Sequence, residues 1–122
     1  MIQMKKLLTM AVFALSVFIL QMPQAAAQDV FVGTYSSGYN VYLMTETIRI
    51  QSRDYMDYTC RVKAIKGNDL IYVDYTFWED RQRRLIEHYR DSSGNTGMFT
   101  ISDANGHPVP YNIDNYVGDH YY

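Results

Sequence analysis

One cysteine, three prolines and one tryptophan are all that 122 residues contain of these types. A single cysteine excludes an internal disulfide framework and any cysteine-based zinc module, because both need thiols in sets. Positive charge is also scarce: 11 Lys and Arg stand against 13 Asp and Glu, a formal net charge of −2. Nucleic acid is therefore not an expected partner, since phosphate binding needs a basic face. Gly-x-Ser-x-Gly elbows and Gly-Lys-Ser/Thr phosphate loops are missing, and Gly33-Thr34-Tyr35-Ser36-Ser37-Gly38 reads instead as a hairpin turn. Heptads and fixed-period repeats are likewise absent. The charged fraction, 20%, is below the usual quarter, whereas 15% of residues are aromatic. That balance argues against disorder, and the length allows one domain.

The first segment reads as a secretory leader. Lys5 and Lys6 precede an apolar run of 14 residues, Leu7 to Leu20, and the chain then turns small and polar up to Ala25-Ala26-Ala27. This is the order a signal peptidase recognises, with the cut expected after Ala27. A run of 14 is short beside the roughly 20 residues that span a bilayer as a helix. Residues 1–27 are therefore expected to be a cleaved leader, residues 28–122 a single β-rich domain, and the mature chain free of the membrane. That domain has 95 residues, with 16 aromatic side chains and 9 basic residues against 13 acidic ones, a net charge of −4.

Beyond Asp29 the dominant period is two. In Leu70 to Trp78, Ile71, Val73, Tyr75 and Phe77 share one face, and Leu70, Tyr72, Asp74, Thr76 and Trp78 the other. Tyr58 to Ile65 also alternates, and Lys66-Gly67-Asn68-Asp69 between the two runs predicts a hairpin. Further strands are expected at Val30 to Tyr35, Tyr39 to Thr45, Arg83 to Arg90 and Met98 to Ser102, with Thr47 to Gln51 either separate or a continuation. Pro108 and Pro110 would interrupt a central strand. Ile113, Tyr116 and Val117 have helical spacing, so a short C-terminal helix ending at Gly118 is expected. The fold class read from this pattern is mainly β, with α+β as the variant: one antiparallel sheet of five to six strands and a short C-terminal helix.

Few residues offer chemistry. Cys60 shares a strand face with Val62 and Ala64, which suits a small buried hydrophobe better than a nucleophile. His88, His107 and His120 lack the short spacing of zinc ligands. Asp103-Ala104-Asn105-Gly106 faintly resembles a calcium loop, and Asp91, Asn95, Asp114 and Asp119 are further oxygen donors, but turn chemistry selects the same residues. Glu79, Asp80 and Glu87 read as solvated acids, and Arg81, Arg83 and Arg84 as a solubilised hairpin end. No catalytic residue, metal or cofactor is expected. The tyrosines remain. They combine a rigid apolar ring with a polar tip, as recognition surfaces favour, although a small core without disulfides also needs such rings. Tyr35, Tyr39 and Tyr42 around the first hairpin, with Tyr121 and Tyr122 at the C-terminus, are the candidate binding residues.

Tyr39-Asn40-Val41-Tyr42-Leu43 followed by Thr47-Ile48, then the Cys60 strand, then Leu70 to Trp78, resembles the layout of small exported bacterial proteins of the surface-adhesin E type. The resemblance implies an antiparallel sheet with a helix against it and, since the named member is a surface adhesin, a binding role. It carries over no functional residue. The expected function is a non-enzymatic, adhesin-like module of the bacterial envelope or exterior, secreted or periplasmic, that binds a macromolecule, protein or glycan. Two alternatives are a small secreted hydrolase and a periplasmic inhibitor of a wall-degrading enzyme. A pocket joining His88 or His107 to two acids would favour the first alternative, and a protruding loop of Ser36, Ser37 and Tyr39 the second. An exposed aromatic surface without such a pocket would favour binding.

Overall fold

The computed structural model describes residues 28–122, so the expected leader lies outside the described residues. Six strands follow one another: β1 (Asp29–Thr34), β2 (Asn40–Ser52), β3 (Asp57–Lys66), β4 (Asp69–Glu79), β5 (Ile86–Asp91) and β6 (Thr96–Thr100). They form one antiparallel sheet in which spatial order equals sequence order. Among the described residues one helix, α1 (Pro108–Tyr121), follows the strands.

Alternation divides each strand between two faces. On β4, Val73, Tyr75 and Phe77 are buried whereas Tyr72 and Asp74 are exposed. On β3, Tyr58, Cys60, Val62 and Ala64 point the same way and are buried. Helix α1 covers this face with Val109, Ile113 and Val117, spaced i, i+4, i+8. The core between them is strongly aromatic. Tyr58 and Phe77 stack at 4.7 Å between ring centroids, and Tyr75 lies 5.6 Å from Phe77. Rings of this size supply the apolar area that a small domain without disulfides requires.

The β3–β4 hairpin closes on the pair Lys66 and Asp69. Gly67 takes a φ of 60° there, a left-handed value that a two-residue hairpin turn demands and that costs glycine nothing. Thr47 to Gln51 proves to be a continuation: β2 runs unbroken to Ser52, but its ladder with β3 shifts register between Met44 and Arg49. The Thr47 hydroxyl repairs the gap, donating to the Met44 carbonyl (2.6 Å) and accepting the Arg61 N–H (2.8 Å).

Several boundaries differ from expectation. β5 starts at Ile86 and not at Arg83, because Asp80 accepts the N–H groups of Gln82 and Arg83 and holds that segment as a turn. β6 starts at Thr96 and ends at Thr100. Gly118 does not end the helix, which runs on to Tyr121; a glycine inside a helix costs only about 1 kcal/mol relative to alanine. Pro108 occupies the first helical position, where its fixed φ is an advantage and its missing N–H is no loss.

Candidate functional site

The face of the sheet opposite α1 carries no covering element among the described residues. Register brings its side chains into rows. Phe31 pairs with Tyr42, Tyr42 with Lys63, and Lys63 with Tyr72, so one row crosses four strands. Phe31 and Tyr72 are 57% and 53% exposed, and the Phe31 and Tyr42 rings lie 5.5 Å apart. The Arg61 guanidinium stands 5.7 Å above the Tyr72 ring. A second aromatic group occupies β4, β5 and β6. Trp78 stacks on His88 at 5.4 Å, Arg90 lies 5.5 Å from the Trp78 ring, and His88 pairs in register with Met98.

Between the two groups the face is polar. Where β2 leaves register, a shallow hollow of about 350 Å³ forms, walled by Thr47, Arg49, Thr59, Arg61, Asp74 and Thr76. Arg61 grips Asp74 with two hydrogen bonds, Nε to Oδ1 at 2.7 Å and Nη2 to Oδ2 at 3.2 Å. That bond holds the Asp74 carboxyl below its ordinary range and raises the guanidinium. Lys63 pairs with Asp29 at 2.5 Å. His88 Nε2 lies 2.9 Å from Asp80, whose carboxyl is lowered first by that contact and then by the Arg83 and Gln82 N–H groups. Arg61, Lys63 and His88 are thus each matched by an acid, whereas Arg49 donates to the Glu46 and Ile48 carbonyls and Arg90 lies against Trp78.

A second concavity, about 570 Å³, lies at the end of the covered face, bounded by the β1–β2 turn, the β5–β6 turn and the start of α1. The Tyr35 and Tyr75 hydroxyls are 2.6 Å apart there, and the Tyr89 hydroxyl lies 2.9 Å from His107 Nδ1. Burial pushes all three phenols up. The pocket brings His107 to one acid, Asp91. Both oxygens of that carboxylate are already engaged: Oδ1 accepts the Ser93 and Asn95 N–H groups at 2.9 Å, and Oδ2 the Asn95 amide at 3.1 Å.

The five tyrosines singled out from the sequence are not brought together. Tyr35 lines the end pocket. Tyr39 is half-buried, with its hydroxyl 3.4 Å from Asp69 and Lys66 over its ring. Only Tyr42 lies on the open face. Tyr121 and Tyr122 sit at the far end of α1, about 20 Å from Tyr35 for a helix of this length. There Tyr122 donates to the Ser52 carbonyl at 2.9 Å, and Arg53 donates to the Tyr121 carbonyl at 2.6 Å. Ser36 and Ser37 are exposed, but Tyr39 does not protrude with them.

Sequence reasoning missed Phe31, Tyr72, Trp78 and Met98, whose signal was present in the alternation: they have the opposite parity to the core residues. It also misjudged Glu79 and Glu87, which are buried and not solvated. Asp114, offered as a calcium ligand, is buried beneath the helix. Among the described residues no three His, Cys, Asp or Glu side chains gather as a metal site. Cys60 is 4% exposed, and burial, then the nearby Asp114, pushes its thiol far up. It is expected to resist a thiol-specific reagent in the folded protein and to react stoichiometrically in denaturant; labelling of the native state would place it at a surface.

No protein-family model, no curated protein and no solved structure matches this chain.

Proposed function

We propose that this chain is an exported, non-enzymatic binding module that holds a neutral glycan along the open face of its sheet. The observation that carries this reading is the arrangement of that face: an exposed aromatic row and a half-buried Trp78–His88 stack flanking a hollow of threonine hydroxyls and a paired arginine and aspartate. Aromatic rings offer flat apolar surface to the C–H faces of sugar rings, while hydroxyl, carboxylate and guanidinium groups meet sugar hydroxyls with donors and acceptors. Arg61, Lys63 and His88 each have an acid beside them, which leaves Arg49 and Arg90 as the cations on this face without one, a small charge for holding a polyanion. Strand placement also makes the platform rigid, so little side-chain freedom is lost on binding. The leader-like residues 1–27 support export, and with it contact with envelope or extracellular polysaccharide.

The test is affinity electrophoresis of residues 28–122 through gels containing neutral polysaccharides, beside a pull-down from envelope and medium. Retardation by at least one neutral polysaccharide is expected. Tyr72→Ser and Trp78→Ser should each weaken it by about tenfold, near 1.4 kcal/mol. Tyr72→Ser, at an exposed ring, should move stability by no more than about 0.5 kcal/mol, whereas Trp78→Ser removes a half-buried ring stacked on His88 and should cost more, so both are compared at a temperature where each is folded. Retention of proteins alone, or retardation that both variants keep, overturns the reading.

A further inference from the structure

Beneath α1 lies a cluster that the open face does not use. Glu87, on β5, is 2% exposed, and Asp114, on the helix above it, is 6% exposed. The Tyr58 hydroxyl donates to Asp114 Oδ1 at 2.7 Å, and the two carboxyls stand close enough for each to shift the other's proton affinity. Glu87 Oε2 is buried with no hydrogen-bond partner, alone in this respect among the described side-chain atoms. Two ionised carboxylates cannot face each other in such a place, and a buried oxygen without a donor is satisfied when it carries the proton itself.

We propose that Glu87 and Asp114 form a shared-proton site that fastens helix α1 to the sheet. The pair bridges the helix and β5, so the proton belongs to neither element alone. The other charged and titratable groups around it are accounted for. Glu79, the β4 register partner of Glu87, accepts the Met56 N–H at 2.9 Å and is ion-paired with Arg84. Asp57 on β3 is held by Arg81 at 2.5 Å. Tyr58 and Cys60 on β3, and Tyr122 beyond the helix, complete the surroundings and bring no positive charge to the pair. No cation replaces the proton.

Burial, before any other cause, raises both carboxyls of the pair, and the Asp114 charge raises Glu87 further. Both groups therefore bind protons more tightly folded than unfolded. Their contribution is complete below the ordinary carboxylate range and is lost as pH rises through the raised folded values. Asp57, Asp74 and Asp80, which are lowered, act in the opposite sense and only in acid. Alkaline loosening of the helix is thus the signature of the pair.

Thermal melts and amide exchange of residues 28–122, the exchange corrected for its intrinsic base catalysis, read this directly. Between about pH 5.5 and pH 9 the wild type should lose roughly 5–10 °C in Tm. Protection should fall in residues 108–121 before it falls in β3 and β4. Glu87→Gln keeps a neutral donor towards Asp114 and should abolish the part of the loss above about pH 7, leaving only the smaller step of the buried Asp114 near pH 6. An infrared carbonyl band of a protonated carboxylic acid should persist in the wild type near neutral pH, and this holds however the variant folds. A wild type without that band, or a folded Glu87→Gln protein with the same pH profile, overturns the proposal.

Discussion

Replacing Phe77 with alanine is expected to cost about 3–5 kcal/mol, against a total stability of about 5–15 kcal/mol for a domain of ordinary size. Phe77 is 1% exposed and stands in the middle of the aromatic core, against Tyr58 at 4.7 Å, Tyr75 at 5.6 Å and Tyr89 at 6.3 Å. Truncation removes apolar area and also leaves a cavity that stiff rings cannot collapse to fill. The void would be lined by three phenols whose hydroxyls are held elsewhere: Tyr58 on Asp114, Tyr75 on Tyr35, and Tyr89 on His107. Those bonds oppose any inward shift of the rings, which places the expected cost towards the upper end. Urea unfolding followed by circular dichroism measures it. Phe77→Leu, which retains most of the volume, should cost much less, and equal losses for the two variants would show that the cavity is not the cause.

Ile113→Ala is expected to cost about 2–5 kcal/mol, and the loss should fall unevenly across the molecule. Ile113 is fully buried at the centre of the helix face, between Val109 and Val117. The sheet has its own ladder of backbone bonds over six strands, whereas α1 depends on its buried stripe and a few polar ties. One tie is the Asn112 amide donating to the Val32 carbonyl at 2.8 Å, and another is Tyr58 to Asp114. Weakening the stripe should therefore let α1 open before the sheet does. Amide exchange is the measurement: residues 108–121 should lose protection while β3 and β4 keep theirs. Uniform loss along the chain would mean that helix and sheet unfold only together.

The architecture was legible because its signals are local. Alternation in Leu70 to Trp78, a glycine and an asparagine at a two-residue turn, and helical spacing in Ile113 to Val117 each depend on neighbours in sequence. The site was less legible because it depends on which residues of different strands stand side by side. Phe31, Tyr42, Lys63 and Tyr72 stand side by side only in the folded register, and nothing in a linear reading aligns them. The acids show a second limit. Glu87 is charged and looks solvated, yet its parity on β5 matches that of Tyr89, which is core. Charge identity outweighed parity in that reading, and the buried partner on a helix 27 positions later could not be foreseen.

Strand order has a consequence for how the molecule comes into being. Each strand pairs with the one made just before it, so no strand waits for a distant partner and loop-closure costs stay small. Synthesis proceeds from the N-terminus, and the sheet can be laid down hairpin by hairpin as the chain emerges. The helix comes last. Until α1 arrives, Val62, Tyr75 and Phe77 face water on the side it will cover. The nascent domain is therefore most vulnerable to sticking to other chains just before the 14 residues of α1 close over it.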